Sequence, residues 1–274
     1  MFVENSFDTG KVVLNYAEGP DNGPPLVLFP GASRRWQSHL LPIMIPLSYR
    51  WHIYAVDNRG HGKSGRTPGK YSMVDYKRDA IAFLDHLNEP VAIFGHSLGG
   101  MICPGAAAGA PYKVKAAILG DPPVTNRSAR AWLTQDLAIN WNNDLIKLTG
   151  LELSIWEIAE RLGDGPITAR NIMYARTIKD LDPSMPKAIN RTDEFFEGYD
   201  MDELVKQVQC PVLLLQGDPE MFSAMTDEDV EYVKSNVSNV VHVRLDGVDH
   251  GLGLSDWRAE QVVSAMYYFL ESIR

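Results

Sequence analysis

Val91-Ala92-Ile93-Phe94-Gly95-His96-Ser97-Leu98-Gly99-Gly100 is the stretch that decides the fold of this chain. Its first half is a short apolar run with β-branched residues, the pattern of a buried strand. Its second half turns through two glycines around a single serine, and from Met101 to Ala110 small residues continue as a helix. Gly-x-Ser-x-Gly at a strand-to-helix junction makes a turn so tight that the serine is held in a strained backbone conformation. Gly95 and Gly99 let neighbouring backbone approach where a Cβ would clash. The Ser97 hydroxyl then projects from the top of the sheet, and the Leu98 amide sits at a helix N-terminus, where negative charge is favoured. This is the arrangement of an acyl-transfer nucleophile; the plainer alternative is a structural turn.

Upstream, Leu26-Val27-Leu28-Phe29 reads as a buried strand closed by Pro30-Gly31-Ala32-Ser33, with Trp36 following. His52 to Val56 reads as the next strand and runs into Asp57-Asn58-Arg59-Gly60-His61-Gly62-Lys63-Ser64. Ser72 to Leu87 has apolar residues at helical spacing and leads to the central strand. Earlier, Phe2–Ser6 and Lys11–Ala17 are strand-like around an Asp8-Thr9-Gly10 turn. His39 to Ser48 is helix-like but interrupted by Pro42 and Pro46.

On these motifs the chain resembles the α/β-hydrolase fold superfamily, lid-bearing serine hydrolase branch, over nearly its whole length. The strongest local match is the eight-residue segment Asp57 to Ser64, whose role in that family is mainly architectural, so His61 is read as structural. The resemblance implies a mostly parallel eight-stranded sheet flanked by helices, with an inserted helical lid. The strand end at Pro30-Gly31 departs from the family's usual His-Gly. The loop still implies an oxyanion hole made by the Ala32 and Leu98 amides, because the working group is a backbone N–H.

From Val124 to about Val205 the strand pattern disappears and helices follow one another, with Ser154-Ile155-Trp156-Glu157 as a capping-box start. Residues 124–205 are therefore assigned as the lid, and 1–123 with 206–274 as the core. The lid holds Trp132, Trp141 and Trp156, read as candidate lining for an apolar pocket, each against the alternative of lid core. It carries nine Lys or Arg against fourteen Asp or Glu, a net charge of −5, which argues against a strongly anionic substrate. Cys103-Pro104-Gly105 interrupts the helix after Ser97, which predicts a shortened or bent helix there.

A serine hydroxyl needs a base and an acid that orients the base. In this fold the chain order is Ser, then Asp or Glu, then His. His250, in a glycine-flanked loop after the last strand (Val240 to Leu245), holds the family's position for the base, before a closing helix over Asp256–Ile273. The family places the acid three residues past a glycine after the penultimate strand, Pro211 to Gln216. That position is Glu220, with Asp218 and Asp121 as alternatives.

The chain has 274 residues, 45% of them hydrophobic and 22% charged, ordinary for one large domain with a substantial core. A net charge of −9 and a sequence pI near 5.3 argue against a nucleic-acid surface. Cys103 and Cys210 read as core residues of a reducing compartment rather than a disulfide. No basic, apolar leader and no membrane-length apolar run is visible, so a cytoplasmic monomer or homodimer without membrane contact is expected. No phosphate loop or Cys/His cluster calls for a cofactor or metal. The expected activity is hydrolysis of carboxylic esters or lactones of small, fairly apolar substrates. The competing readings are a carbon–carbon bond hydrolase of ring-fission diketones and a slow-turnover ligand receptor, with a cofactor-free haloperoxidase-like side activity also open. An epoxide hydrolase or dehalogenase is disfavoured because those branches use aspartate in place of Ser97.

Overall fold

The computed structural model describes residues 1–273. Eight strands form one sheet: β1 (Val3–Asp8), β2 (Val13–Glu18), β3 (Pro25–Phe29), β4 (His52–Val56), β5 (Val91–His96), β6 (Val114–Gly120), β7 (Val212–Gln216) and β8 (Val240–Arg244). Their order across the sheet is β1-β2-β4-β3-β5-β6-β7-β8. The first two pairings are antiparallel and the rest parallel, as the resemblance implied.

The helices between the early strands are α1 (Trp36–His39), α2 (Leu41–Leu47), α3 (Met73–His86) and α4 (Leu98–Gly109). Between β6 and β7 lie α5 (Asn126–Leu133), α6 (Asp136–Thr149), α7 (Ile155–Arg161), α8 (Ala169–Lys179), α9 (Ser184–Ile189), α10 (Thr192–Phe195) and α11 (Met201–Lys206). Then come α12 (Asp227–Asn236) and α13 (Glu260–Ser272).

The central strands are buried on both faces, so their side chains divide by parity. Leu26, Leu28, Ala92, Phe94, Leu213 and Leu215 join one core cluster with residues of α2 and α13. Val27, Phe29, Ile93, Leu119 and Leu214 join the other, with α3, α4 and the inserted helices. Helix starts follow their caps: Ser72, Thr125, Ser154 and Thr226 each close a capping box, joining a helix to the loop that delivers it.

Two local expectations are corrected. The elbow helix is not shortened by Pro104: it starts at Leu98 and runs to Gly109. Tyr199 donates a 2.6 Å hydrogen bond to the Met101 carbonyl and packs against Gly105, which covers the helix beside the proline. The closing helix starts at Glu260 rather than Asp256, because residues 250–257 are consecutive turns in which Leu252 and Trp257 take positive φ.

The inserted helices are fixed to the core at α8. Arg35 pairs with Asp180 at 2.6 Å, and Ser38 and Thr177 share a 2.8 Å hydroxyl contact. Just beyond α8, Asp182 donates its amide to the Gly60 carbonyl and accepts from the Tyr71 hydroxyl at 2.6 Å. These bonds seat the insertion on the segments that follow β3 and β4.

Candidate active site

The elbow has the geometry that its sequence required. Ser97 sits at φ 51°, ψ −113°, a costly conformation for a residue with a side chain. A Cβ at Gly95 would overlap the Gly99 carbonyl, and one at Gly99 would overlap the Phe29 carbonyl. Gly31 plays the same part opposite: a Cβ there would lie 2.8 Å from His96 Nδ1 and 3.5 Å from Ser97 Cβ. The loop after β3 therefore lies directly against the serine. Among the described residues, neither the Ala32 nor the Leu98 amide has a hydrogen-bond acceptor. Both are free for an incoming oxyanion.

His250 lies where the chain order put it. Its Nε2 is 3.0 Å from Ser97 Oγ and its Nδ1 is 2.8 Å from Asp121 Oδ2. Asp121 follows β6 directly, takes φ 50°, and is fully buried. It accepts further hydrogen bonds from the Gly217 amide (2.9 Å), the Ser223 hydroxyl (2.6 Å) and the Ala224 amide (2.8 Å). Such a set of donors satisfies a buried carboxylate and fixes its direction.

This corrects the expected position of the acid. Glu220 is exposed in a short 3₁₀ turn, Pro219–Met221, and its side chain makes no contact with His250. Asp218 is spent on the loop itself, accepting from the Glu220 and Gly247 amides, bonds that hold its carboxyl below the usual range. The loop after β7 thus supplies donors to Asp121 rather than a carboxylate to His250. The sequence signal for Asp121 was its place at the end of β6; the signal missed was the donor run Ser223-Ala224-Met225.

Behind the serine runs a chain of neutral imidazoles. His96 Nε2 is 2.6 Å from the His250 carbonyl, which can only accept, so His96 carries its proton there. Its Nδ1 must then accept from His39 Nε2 at 2.9 Å, and His39 Nδ1 accepts from Ser255 Oγ at 3.1 Å. Both rings are buried, and burial first, then neighbouring positive charge, holds their pKa well below the ordinary value. His61 is structural: its Nε2 accepts from the Ser33 amide at 3.0 Å, so Nδ1 donates to the Arg59 carbonyl at 2.8 Å. Burial lowers its pKa to about 4. Its segment is locked by Arg59, which grips Asp79 at 2.5 and 2.6 Å.

The three tryptophans of the inserted helices part company. Trp132 stands over the site, its ring centroid 4.8 Å from that of His250 and 4.6 Å from Phe222. Trp141 packs on Tyr174 at 5.3 Å, on the α8 side. Trp156 is 60% exposed on α7 and makes no ring contact among the described residues, so its expected place in the pocket is not supported. Two open grooves, about 700 and 490 Å³, flank α13, but neither is lined by Ser97, Asp121 or His250. Cys103 and Cys210 are both unbonded, and burial pushes both thiols up. Among the described residues no cluster of His, Cys, Asp or Glu could hold a metal ion, and no helix is long and apolar enough to cross a membrane.

With this geometry in hand, the profile of the Alpha/beta hydrolase family matches residues 26–265. The chain belongs to the alpha/beta hydrolase family. Among characterised members, 2-(acetamidomethylene)succinate hydrolase of Mesorhizobium japonicum is 35% identical over 121 residues, 44% of this chain and 43% of that protein. The chain thus aligns with under half the length of that relative. 3-Oxoadipate enol-lactonase 2 of Acinetobacter baylyi is 23% identical over 221 residues, 79% of each chain. Among solved structures, the N-formylmaleamic acid deformylase of Pseudomonas putida S16 superposes with a TM-score of 0.78 at 19% identity, over 97% of this chain and all of that one. At that identity the likeness is one of fold.

Proposed function

We propose that this hydrolase cleaves a carboxylic ester or lactone through an acyl-enzyme on Ser97. The observation that carries the reading is the unbroken relay from Ser97 Oγ through His250 to Asp121, at 3.0 and 2.8 Å. His250 Nε2 takes the hydroxyl proton as Ser97 attacks the carbonyl carbon, and Asp121 holds the imidazole in the required tautomer and stabilises its charge. The Ala32 and Leu98 amides receive the oxyanion, an interaction worth several kcal/mol in the transition state. Protonated His250 gives its proton to the leaving alcohol. Water, deprotonated by the same ring, then releases the acid.

Residues 124–205 act in this reading as a lid, with Trp132 as the wall nearest the base. The enol-lactonase and the succinate hydrolase among the relatives support hydrolysis of a small acyl compound. The test is turnover of a panel of para-nitrophenyl esters and small lactones by the wild-type protein and Ser97→Ala. The expected result is saturable turnover that falls by about 10⁴-fold or more in the variant. Full activity without the hydroxyl contradicts the reading, and ligand-dependent thermal stabilisation with no turnover points to a receptor.

A further inference from the structure

We propose that Arg34 and Tyr174 form a subsite for a free carboxylate on the substrate, so that the natural substrate is an acid bearing a hydrolysable acyl bond at its other end. This rests on the assignment of Ser97 as nucleophile. Arg34 lies two residues past Ala32, on a loop pinned by the bond from the Ser33 amide to His61. Its neighbour Arg35 is buried and neutralised by Asp180. Arg34 is half-buried and has no carboxylate partner among the described residues. Its one hydrogen bond is a 3.5 Å contact back to the Ser33 carbonyl, and its guanidinium stands 4.1 Å over the Tyr174 ring.

Tyr174 brings the second observation. Its hydroxyl is buried and has no hydrogen-bond partner. A buried donor left unmade is unfavourable and calls for an explanation. Tyr174 and Thr177 are three residues apart on α8 and share a helix face, and Thr177 is bonded to Ser38 of α1, the helix that follows Arg34. A guanidinium with a single long hydrogen bond and a phenol with none therefore meet between core and insertion, two residues along the chain from Ala32. A carboxylate accepts from a guanidinium and a phenol together, and such charge-assisted bonds are the strong ones. The charge of Arg34 also reaches the rings behind the serine, where it helps hold His39 and His96 neutral.

The acidic surface of the insertion does not oppose this. Exposed charges more than about 8–10 Å away are screened by salt, whereas a half-buried guanidinium acts at contact distance. What the sequence's net charge hid is the local sign of the site. The surroundings are aromatic: Trp141 packs on Tyr174, and Trp132 with Phe222 stands by His250, which fits a short apolar body ending in one carboxylate.

The experiment compares mono-para-nitrophenyl glutarate with para-nitrophenyl valerate, equal in length and differing in the terminal carboxylate. The wild type is expected to favour the glutarate in kcat/KM, and Arg34→Gln to lower the glutarate-to-valerate ratio by about 30-fold, mainly through KM. Arg34→Lys should recover part of the ratio, and Tyr174→Phe should lower it by about three- to tenfold. A ratio unchanged in Arg34→Gln, or a wild type indifferent to the carboxylate, overturns the subsite. Calorimetry of glutarate with the Ser97→Ala protein gives an arm that needs no turnover: binding is expected, weakened about 30-fold by adding Arg34→Gln. Binding that survives the added substitution also overturns the subsite. If glutarate binds in this way while neither ester is cleaved, the hydrolase reading fails and the subsite stands.

Discussion

The elbow after β5 and the loop after β7 lie on neighbouring parts of the same sheet edge, yet they carry their chemistry differently. At the elbow one side chain is presented and its neighbours are chosen by exclusion. Gly95, Gly99 and Gly31 are small because backbone and His96 occupy the space a Cβ would take. In the loop after β7 no single side chain reaches the base. The loop instead wraps Asp121 with the Gly217 and Ala224 amides and the Ser223 hydroxyl. The lesson is that a steric requirement leaves a mark in residue type, whereas a cradle built from backbone amides can be made from almost any residues.

The largest expected effect divides these two regions. Asp121→Asn should lower kcat/KM for a para-nitrophenyl ester by about 10³- to 10⁴-fold, because the amide favours the wrong imidazole tautomer. Glu220→Gln should change it by less than about twofold. The comparison breaks if Glu220→Gln is the damaging change.

A second effect concerns stability on the elbow side, where the neutral histidines lie. An unfolded histidine takes its proton near pH 6.5, whereas His61 takes it near pH 4 in the folded protein. Between these values the unfolded chain binds more protons, so stability falls as pH falls, by about 1.4 kcal/mol per pH unit for each such group. His39 and His96 act in the same direction. Asp57 and Asp79 oppose them: burial raises both carboxyls, Asp57 to about 6, so the folded protein binds these protons first and gains stability on acidification. His242 is lowered as well, and four histidines against two carboxyls predict a lower unfolding temperature at pH 5 than at pH 7, with a shallower slope in His61→Gln. Thermal melts across this range check it; a flat or rising profile contradicts it.

Smaller effects sharpen the account of the insertion and of the cradle. Trp132→Ala should raise KM for an aryl ester about tenfold, while Trp156→Ala should leave it within about twofold, as steady-state kinetics would show. Ser223→Ala removes one of the donors to Asp121 and should cost about 1.5–3 kcal/mol of stability, measured by urea unfolding, with a several-fold loss of kcat.

Much of this was legible in the residues. The apolar strands, the capping box at Ser154 and the Gly-x-Ser-x-Gly turn are local signals, and with the Asp57–Ser64 segment they carried the family resemblance that implied the fold. His250 was legible because the chain order leaves one histidine in a glycine-flanked loop after the last strand. The acid was not, since Glu220 and Asp121 both follow strand ends, and only the three-dimensional path of residues 217–225 shows which is met by donors. Trp156 misled because tryptophan content says nothing of direction, and α7 turns that ring outward. Beside Pro104 the helix is covered by Tyr199, almost a hundred residues away along the chain.

The most direct test of the central claim is the site of covalent capture. The intact protein is treated with a fluorophosphonate and the adduct is mapped by peptide mass spectrometry. A serine activated by His250 and Asp121 predicts a single adduct on Ser97, formed rapidly by the wild type and much more slowly by Asp121→Asn. An unlabelled Ser97, or labelling at the same rate without the Asp121 carboxylate, would contradict it.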